Sequence, residues 1–546
     1  MNQKQLYIYG IVSGILLALA FPPLPFGAFA FAAFVPLLFA LELKPKHQYL
    51  LLYITFFIYH AGTNWWISSW QADTDPYLIA SGIATALIHP LFFLFPFILY
   101  FFVKKRLGTQ TALWFFPFFW ATFEWLHSIG DLAYPWQALS YTQLGNIYWV
   151  QFADIAGSTG VSFVIVLVNV LIIKIVYEIK SFNINEKPAK HLFTHRGFLK
   201  YFISIILIII LFNIYGIIRL QDFKHKELLS NNETVNIGIV QPAINPWNKW
   251  ATSALGQIEK HIKISDSLAS AVGKLDAIIW SETAILFVNY DVNFGHNFPY
   301  LNNWLSQYDF SLISGFADMV LYKKGETPSI AAKPFRGDST MIYDSYNSMI
   351  SLYPKKDSTK FQIYHKIRLT PFGERIPYLE LFSFASKWLE WGVGISSWAK
   401  GKEQNLLTLE SGNKRIPFAP VICIESIYPD FVRRFVKQGA GFIAIITNDA
   451  WYDYTVGPEQ HFQIARMRAI ETRRYVARCA NTGVSGFIEA SGYELLRAPQ
   501  YQSCGIAVTI PVLKSKSFYL MYGDWIVYIS LFVSLFAIVF SFVKQK

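Results

Sequence analysis

Three side chains of reactive type each close an apolar run. Glu282 ends "LDAIIWSE" (275–282), and Cys423 sits near the end of "IPFAPVICIE" (416–425), two residues before Glu425. Between them, "YHKIRLTPFGERIP" (364–377) carries Lys366 and Glu374. A thiolate is a strong nucleophile, but a free thiol titrates near ~8.5 and is mostly protonated at neutral pH. A carboxylate within reach can take its proton, and an ammonium can hold the oxyanion of a tetrahedral intermediate. Cys, Glu and Lys are together sufficient for acyl transfer through a thioester. Each residue alone also has a plain reading. A buried Cys is usually a small core residue, a Glu after a strand a cap, a loop Lys a surface charge. "PFGER" also reads as a turn whose Gly373 permits positive φ. Spacing does not bring the three together.

The elements that must position them follow from the hydrophobic pattern. Short β-rich runs at 234–241, 275–282, 310–317, 346–353, 416–425, 441–449 and 483–490 are interleaved with helical patterns such as "PEQHFQIARMRAIETRRYVARCA" (458–480). Strands covered by helices predict an α/β domain with its sheet between helical layers. Asn448 and Asp449, at a strand end, fit either a site or a turn. His461 has no metal-ligand partner at useful spacing and reads as structural. Neither a metal nor a cofactor is expected. Cys423, Cys479 and Cys504 are too few for a disulfide framework, although Cys479 and Cys504 are candidates for one bridge.

The rest of the chain is apolar. Of 546 residues, 53% are hydrophobic and 15% charged, against about a quarter charged in soluble domains. Apolar stretches near 7–22, 26–42, 49–69, 78–103, 111–128, 160–178, 201–219 and 523–542 predict membrane spans, with "FPPLPFG" (21–27) as a hairpin end. The net charge of +11 comes with no nucleic-acid motif, so no nucleic-acid partner is expected. Lys44, Lys46, Lys104, Lys105, Arg106, Lys180, Lys187, Lys190, Arg196 and Lys200 fall in alternate loops, whereas 23–25, 70–77 and 129–159 hold no Lys or Arg. The positive-inside rule then places both termini in the cytoplasm and the polar segment outside. The expected division is a membrane domain of seven helices (1–220), an extracytoplasmic domain (221–516) and a closing transmembrane helix (517–546). Trp65, Trp66, Trp70 and Trp136, near span ends, read as an interfacial aromatic belt.

The ordered motifs "GIVQ…WSET…YHKIRLTPFGERIP…VICIES…ITNDAWY" resemble the nitrilase, or carbon–nitrogen hydrolase, superfamily. That resemblance implies an αββα sandwich, with Glu282 as general base, Lys366 as stabiliser of the intermediate, Cys423 as nucleophile and Glu374 beside them. With the spans around it, nearly the whole chain resembles the apolipoprotein N-acyltransferase family. "TNDAWY" before "GPEQHFQIARMRAIETRR", and "NTGVSG" (481–486), carry that likeness. It implies supporting roles for Trp250 and Glu425. Ile424 departs from the tyrosine of the family pattern, leaving its backbone N–H as an oxyanion donor. The implied reaction moves an acyl chain from a membrane phospholipid to the α-amine of a diacylglyceryl apolipoprotein, in a bacterial inner membrane with the catalytic domain periplasmic. The competing reading is a membrane-tethered nitrilase or amidase hydrolysing a carbon–nitrogen bond. The aromatic stretch 382–400, with Trp388, Trp391 and Trp398, suggests a membrane-dipping lid over the site.

Overall fold

The computed structural model describes residues 3–68, 76–182, 195–229, 233–247, 249, 253–288, 297–335, 338–354, 359–381 and 398–544. Among these, four helical stretches are long and apolar enough to cross a membrane: Leu78–Leu107, Ala153–Ser181, Arg196–His225 and Trp525–Val543. Gln3–Ala20, Gln48–Asn64 and Thr109–Leu126 are further apolar helices. The stretch expected as a span at 26–42 is instead a 3-10 turn, Gly27–Phe31, followed by the nine-residue helix Phe34–Glu42. Asn169 stabilises that break. Its Oδ1 accepts from Phe34 N and its Nδ2 donates to Ala30 O, both at 2.8 Å, so backbone groups freed at the turn stay bonded. The expected division at 220 falls inside one unbroken helix, Arg196–Leu229.

After that helix the periodicity switches to strands: β1 Thr234–Gln241, β2 Ala277–Trp280, β3 Ile285–Val288, β4 Ser311–Leu321, β5 Lys333–Phe335, β6 Asp338–Pro354 and β7 Thr359–His365. Next come β8 Leu407–Ser411, β9 Lys414–Ile422, β10 Ile443–Thr447, β11 Val476–Ala480, β12 Gly486–Ile488, β13 Glu494–Arg497 and β14 Cys504–Pro511. One sheet runs β14-β1-β2-β4-β6-β5, with β3 on β4 and β7 on β6; the other runs β13-β12-β11-β10-β9-β8. The sheets face each other where β1 meets β11 and β6 meets β8 and β9. Helices Ala254–Val272 and Asn297–Leu305 cover the first sheet, and Pro429–Lys437 and Gly457–Thr472 the second. The central strands β2, β10 and β11 are buried along their whole length, as strands covered on both faces must be.

Two readings from the sequence are corrected. The helix expected over 458–480 ends at Thr472, because Arg473 adopts a left-handed conformation (φ 52°) and Val476–Ala480 becomes β11, paired with β10 and β12. Trp66 and Trp136 are not belt residues. Both are buried, and both indole N–H groups donate to Gln460 Oε1, at 3.0 and 2.8 Å. Gln460 Nε2 donates in turn to the carbonyls of Pro22 and Thr63, each at 3.1 Å. This fully bonded side chain ties the Gly457–Thr472 helix to the apolar helices. Trp65 is exposed, and Trp70 lies outside the described residues.

Candidate active site

Each reactive residue leaves the end of a strand, where ligands of α/β sheets generally bind. Glu282 follows β2 and is pressed by Gly315 of β4. A Cβ on Gly315 would lie 2.6 Å from Glu282 Cα, Ser281 O and Thr283 N. Lys366 follows β7; its N–H donates to Asn347 O and its carbonyl accepts from Gly401 N, both at 2.8 Å. Cys423 follows β9 at φ 51°, a left-handed setting that costs a non-glycine residue about 1–3 kcal/mol and is typical of functional turns.

The side chains converge. Lys366 Nζ lies 3.3 Å from Glu282 Oε1 and 2.9 Å from Glu374. Asn347 Nδ2, on β6, donates to both carboxylates, at 2.7 Å to Glu282 Oε1 and 2.8 Å to Glu374 Oε1. Glu374 Oε2 also accepts from Thr370 N at 2.8 Å. Asn347 is the residue that sequence reasoning missed; its one cue was an amide inside the strand-forming run "YNSMISLY".

The half-buried Cys423 thiol is in electrostatic contact with Glu282, Lys366, Asp449 and Glu374. Burial pushes it well above the ordinary thiol value, Glu282 adds to the rise and Lys366 opposes it. The resting sulfur is therefore a neutral thiol that needs a base. Burial alone would lower Lys366, but the Glu282 and Glu374 carboxylates hold it well above the ordinary lysine value, as a permanent ammonium. Burial raises Glu374, and Lys366 outweighs it, so this carboxyl titrates below the usual range.

Glu425, expected as a supporting carboxylate, is fully enclosed. Its Oε1 accepts from Tyr364 OH (2.7 Å), Ile367 N (2.7 Å) and Arg368 N (3.1 Å), and its Oε2 from Ile422 N (2.9 Å). It staples the Lys366 segment to the Cys423 segment, and burial pushes it up to about 7. Trp398 is buried. Its N–H donates to Glu374 O and its carbonyl accepts from Arg375. Trp250, Trp388 and Trp391 lie outside the described residues. Asn448 Oδ1 accepts from Asn481 Nδ2 at 3.1 Å. Asp449 Oδ1 bonds His461 Nδ1 at 2.9 Å and its Oδ2 accepts from Arg478 at 2.7 Å. Burial raises Asp449, yet Arg478 and His461 hold it well below the usual carboxylate range. Cys479 and Cys504 are free thiols; Cys479 is enclosed, with Sγ against the carbonyls of Val240 and Ile279.

An αββα sandwich with Cys, Glu and Lys at its strand ends defines a carbon–nitrogen hydrolase fold, and residues 236–514 match that family. Residues 13–171 match the apolipoprotein N-acyltransferase N-terminal domain. Apolipoprotein N-acyltransferase of Chlorobaculum tepidum is 31% identical over 533 residues, spanning 95% of this chain and 93% of that one. The Geobacter metallireducens protein of the same name is 28% identical over 527 residues (95% and 92%), and that of Haemophilus influenzae 25% over 561 (100% and 97%). The chain belongs to the apolipoprotein N-acyltransferase family, and it is an acyltransferase enzyme.

Proposed function

We propose that the enzyme carries an acyl chain from a membrane phospholipid to the α-amine of a diacylglyceryl-modified N-terminal cysteine of apolipoproteins, by way of a thioester on Cys423. The observation that carries this reading is the buried Glu282–Lys366–Glu374 cluster, bridged by Asn347, in electrostatic contact with a half-buried thiol. Glu282 takes the thiol proton as sulfur attacks the ester carbonyl. The oxyanion is met by the Lys366 ammonium and the Ile424 N–H. Glu282 then returns the proton to the departing lysophospholipid alkoxide. In the second half, the neutral α-amine attacks the thioester and the amide forms. Glu282 takes the amine proton and passes it to the released thiolate. Both substrates are lipid-anchored, which raises their local concentration at a membrane-surface site.

The topology that suits this chemistry has eight apolar passes, the second being the broken segment Gly27–Glu42. Both termini lie in the cytoplasm of a bacterial inner membrane, and the domain that follows the helix Arg196–Leu229 lies on the periplasmic face, ahead of the closing pass in 517–546. The asymmetry of Lys and Arg between loops supports it. The test is transfer itself: purified enzyme, phospholipid labelled in one acyl chain, and a diacylglyceryl-cysteine peptide. Label appearing on the peptide in a hydroxylamine-resistant amide supports the reading. Label released only as free acid, or hydrolysis of small amides in its place, overturns it.

A further inference from the structure

Against the Cys423 carbonyl lies a buried polar row that the proposed reaction does not use. Arg478 donates to Asp449 Oδ2 at 2.7 Å. Asp449 Oδ1 bonds His461 Nδ1 at 2.9 Å and also accepts from Thr447 Oγ1 at 2.8 Å. His461 Nε2 is 2.8 Å from Ser426 Oγ and 3.2 Å from the Cys423 carbonyl oxygen. Ser426 Oγ donates to that same carbonyl at 2.9 Å. Burial, with Arg478 adding, moves His461 below its ordinary value despite Asp449. The neutral ring gives Nδ1–H to Asp449 and offers Nε2 as acceptor, so the single Ser426 hydroxyl hydrogen is shared between Nε2 and the Cys423 carbonyl in a three-centre bond.

The order Asp449, His461, Ser426 resembles a hydrolytic triad, but Ser426 is 0% exposed and its hydroxyl is committed to the chain. No substrate atom reaches it. What the row does reach is the peptide joining Cys423 to Ile424. That peptide is planar and trans, so its C=O and N–H point in opposite directions. Fixing the oxygen fixes the hydrogen. Ile424 stands in the first turn of the short helix Cys423–Ile427, where N–H groups have no intrahelical acceptor. The preceding residue is in a sparsely populated left-handed setting (φ 51°), so this peptide needs outside support to hold one orientation. The support is itself braced. A Cβ on Gly483 would strike Asp449 Oδ2 at 2.6 Å. The Trp136 ring lies 5.2 Å from the His461 ring, and Gln460, the preceding residue, is locked among the apolar helices.

Resting on the acyl-transfer reading above, we infer that His461, set by Asp449 and Arg478, is a positioning residue that clamps the Cys423–Ile424 peptide through Ser426 and so presents the Ile424 N–H to the oxyanion. Of the row, Asp449 acts on the sulfur through its charge, and His461→Asn and Ser426→Ala both keep that carboxylate. Loss of the clamp should therefore slow attack on a carbonyl and spare attack on a carbon that develops no oxyanion.

The experiment compares wild type, His461→Asn and Ser426→Ala in two reactions of Cys423. One is single-turnover acylation by phospholipid. The other is alkylation by iodoacetamide, a displacement at a saturated carbon. Acylation should fall by ~10²–10³-fold, the loss typical of one oxyanion donor, while alkylation stays at the wild-type rate. Parallel loss of both reactions in both variants would overturn the inference, and so would acylation that stays intact. Ser426→Ala removes one oxygen and keeps the test open where His461→Asn misfolds. A wild type that forms no acyl-enzyme overturns the acyl-transfer reading itself, and this inference with it.

Discussion

Lys366 is 1% exposed and shares its ammonium between two carboxylates, 3.3 Å from Glu282 and 2.9 Å from Glu374. Replacing it in Lys366→Met keeps most of the side-chain bulk and leaves Glu282 and Glu374 enclosed without a cation. Breaking a buried ion pair from one side costs about 3–5 kcal/mol, because the remaining charge is stranded. Two stranded carboxylates held on one Asn347 amide place this variant at the upper end. Adding Glu374→Gln removes one of the two charges and should restore roughly 0.5–3 kcal/mol, the range of coupling between residues in contact. The pH dependence has a definite sign. In wild type the depressed Glu374 contributes stability above the ordinary glutamate value of ~4.3, lost as pH falls through its folded value. Without Lys366, burial and the neighbouring carboxylate raise it. The penalty is then largest at neutral pH and shrinks as pH falls and Glu374 takes up its proton. Melting in detergent at pH 7.5 and pH 5, for wild type, the single and the double variant, reads all of this. Acyl-enzyme formation should stay abolished in both variants, since neither regains the oxyanion cation. A Lys366→Met protein that melts like wild type, or whose deficit ignores both pH and Glu374→Gln, would show that the Lys366 ammonium does not hold the two carboxylates.

Gly315→Ala places a Cβ 2.6 Å from the backbone around Glu282; overpacking should cost about 1–3 kcal/mol, with acylation down by on the order of 10²-fold from displacement of Glu282, measured by melting and single-turnover rates. Gln460→Leu strands the indole N–H of Trp136, whereas that of Trp66 keeps Thr63 O at 2.8 Å; the loss should be about 1–3 kcal/mol for the one buried donor, and limited proteolysis should cut sooner between the apolar helices and the sandwich. The transfer half-reaction consumes a free α-amine, whose unperturbed value is ~7.7–8.0. Thioester clearance by a diacylglyceryl-cysteine peptide should therefore rise with pH through that range, while clearance without peptide stays slow.

The parts of the site that close an apolar run were legible. Glu282, Lys366 and Cys423 each end a stretch whose burial is written in its own composition, and Glu374 sits in a proline–glycine turn beside Lys366. The parts that act across the fold were not. Asn347 is one amide within a long strand, and its two carboxylate partners come from elements 65 and 27 residues away. His461 and Gln460 occupy a helix whose local pattern says only that it is buried. An indole near a span end looks the same whether it is exposed, as Trp65 is, or donates to Gln460, as Trp66 and Trp136 do. The helix at 458–480 was overextended because Glu471, Arg473, Arg474 and Ala477 are compatible with helix. The pairing of β11 between β10 and β12 overrides that preference. Likewise, Gly27–Glu42 has the hydropathy of a span; Pro36 keeps a helix from running through Ala32, and the bonds from Asn169 on another helix hold the break.

The most direct test is the mass of the protein after exposure to phospholipid with no acceptor present. A single added acyl chain is expected on the peptide containing Cys423, removed by hydroxylamine, cleared by a diacylglyceryl-cysteine peptide, and absent from Cys423→Ala. An unmodified Cys423 peptide, or an adduct that survives in Cys423→Ala, would contradict it.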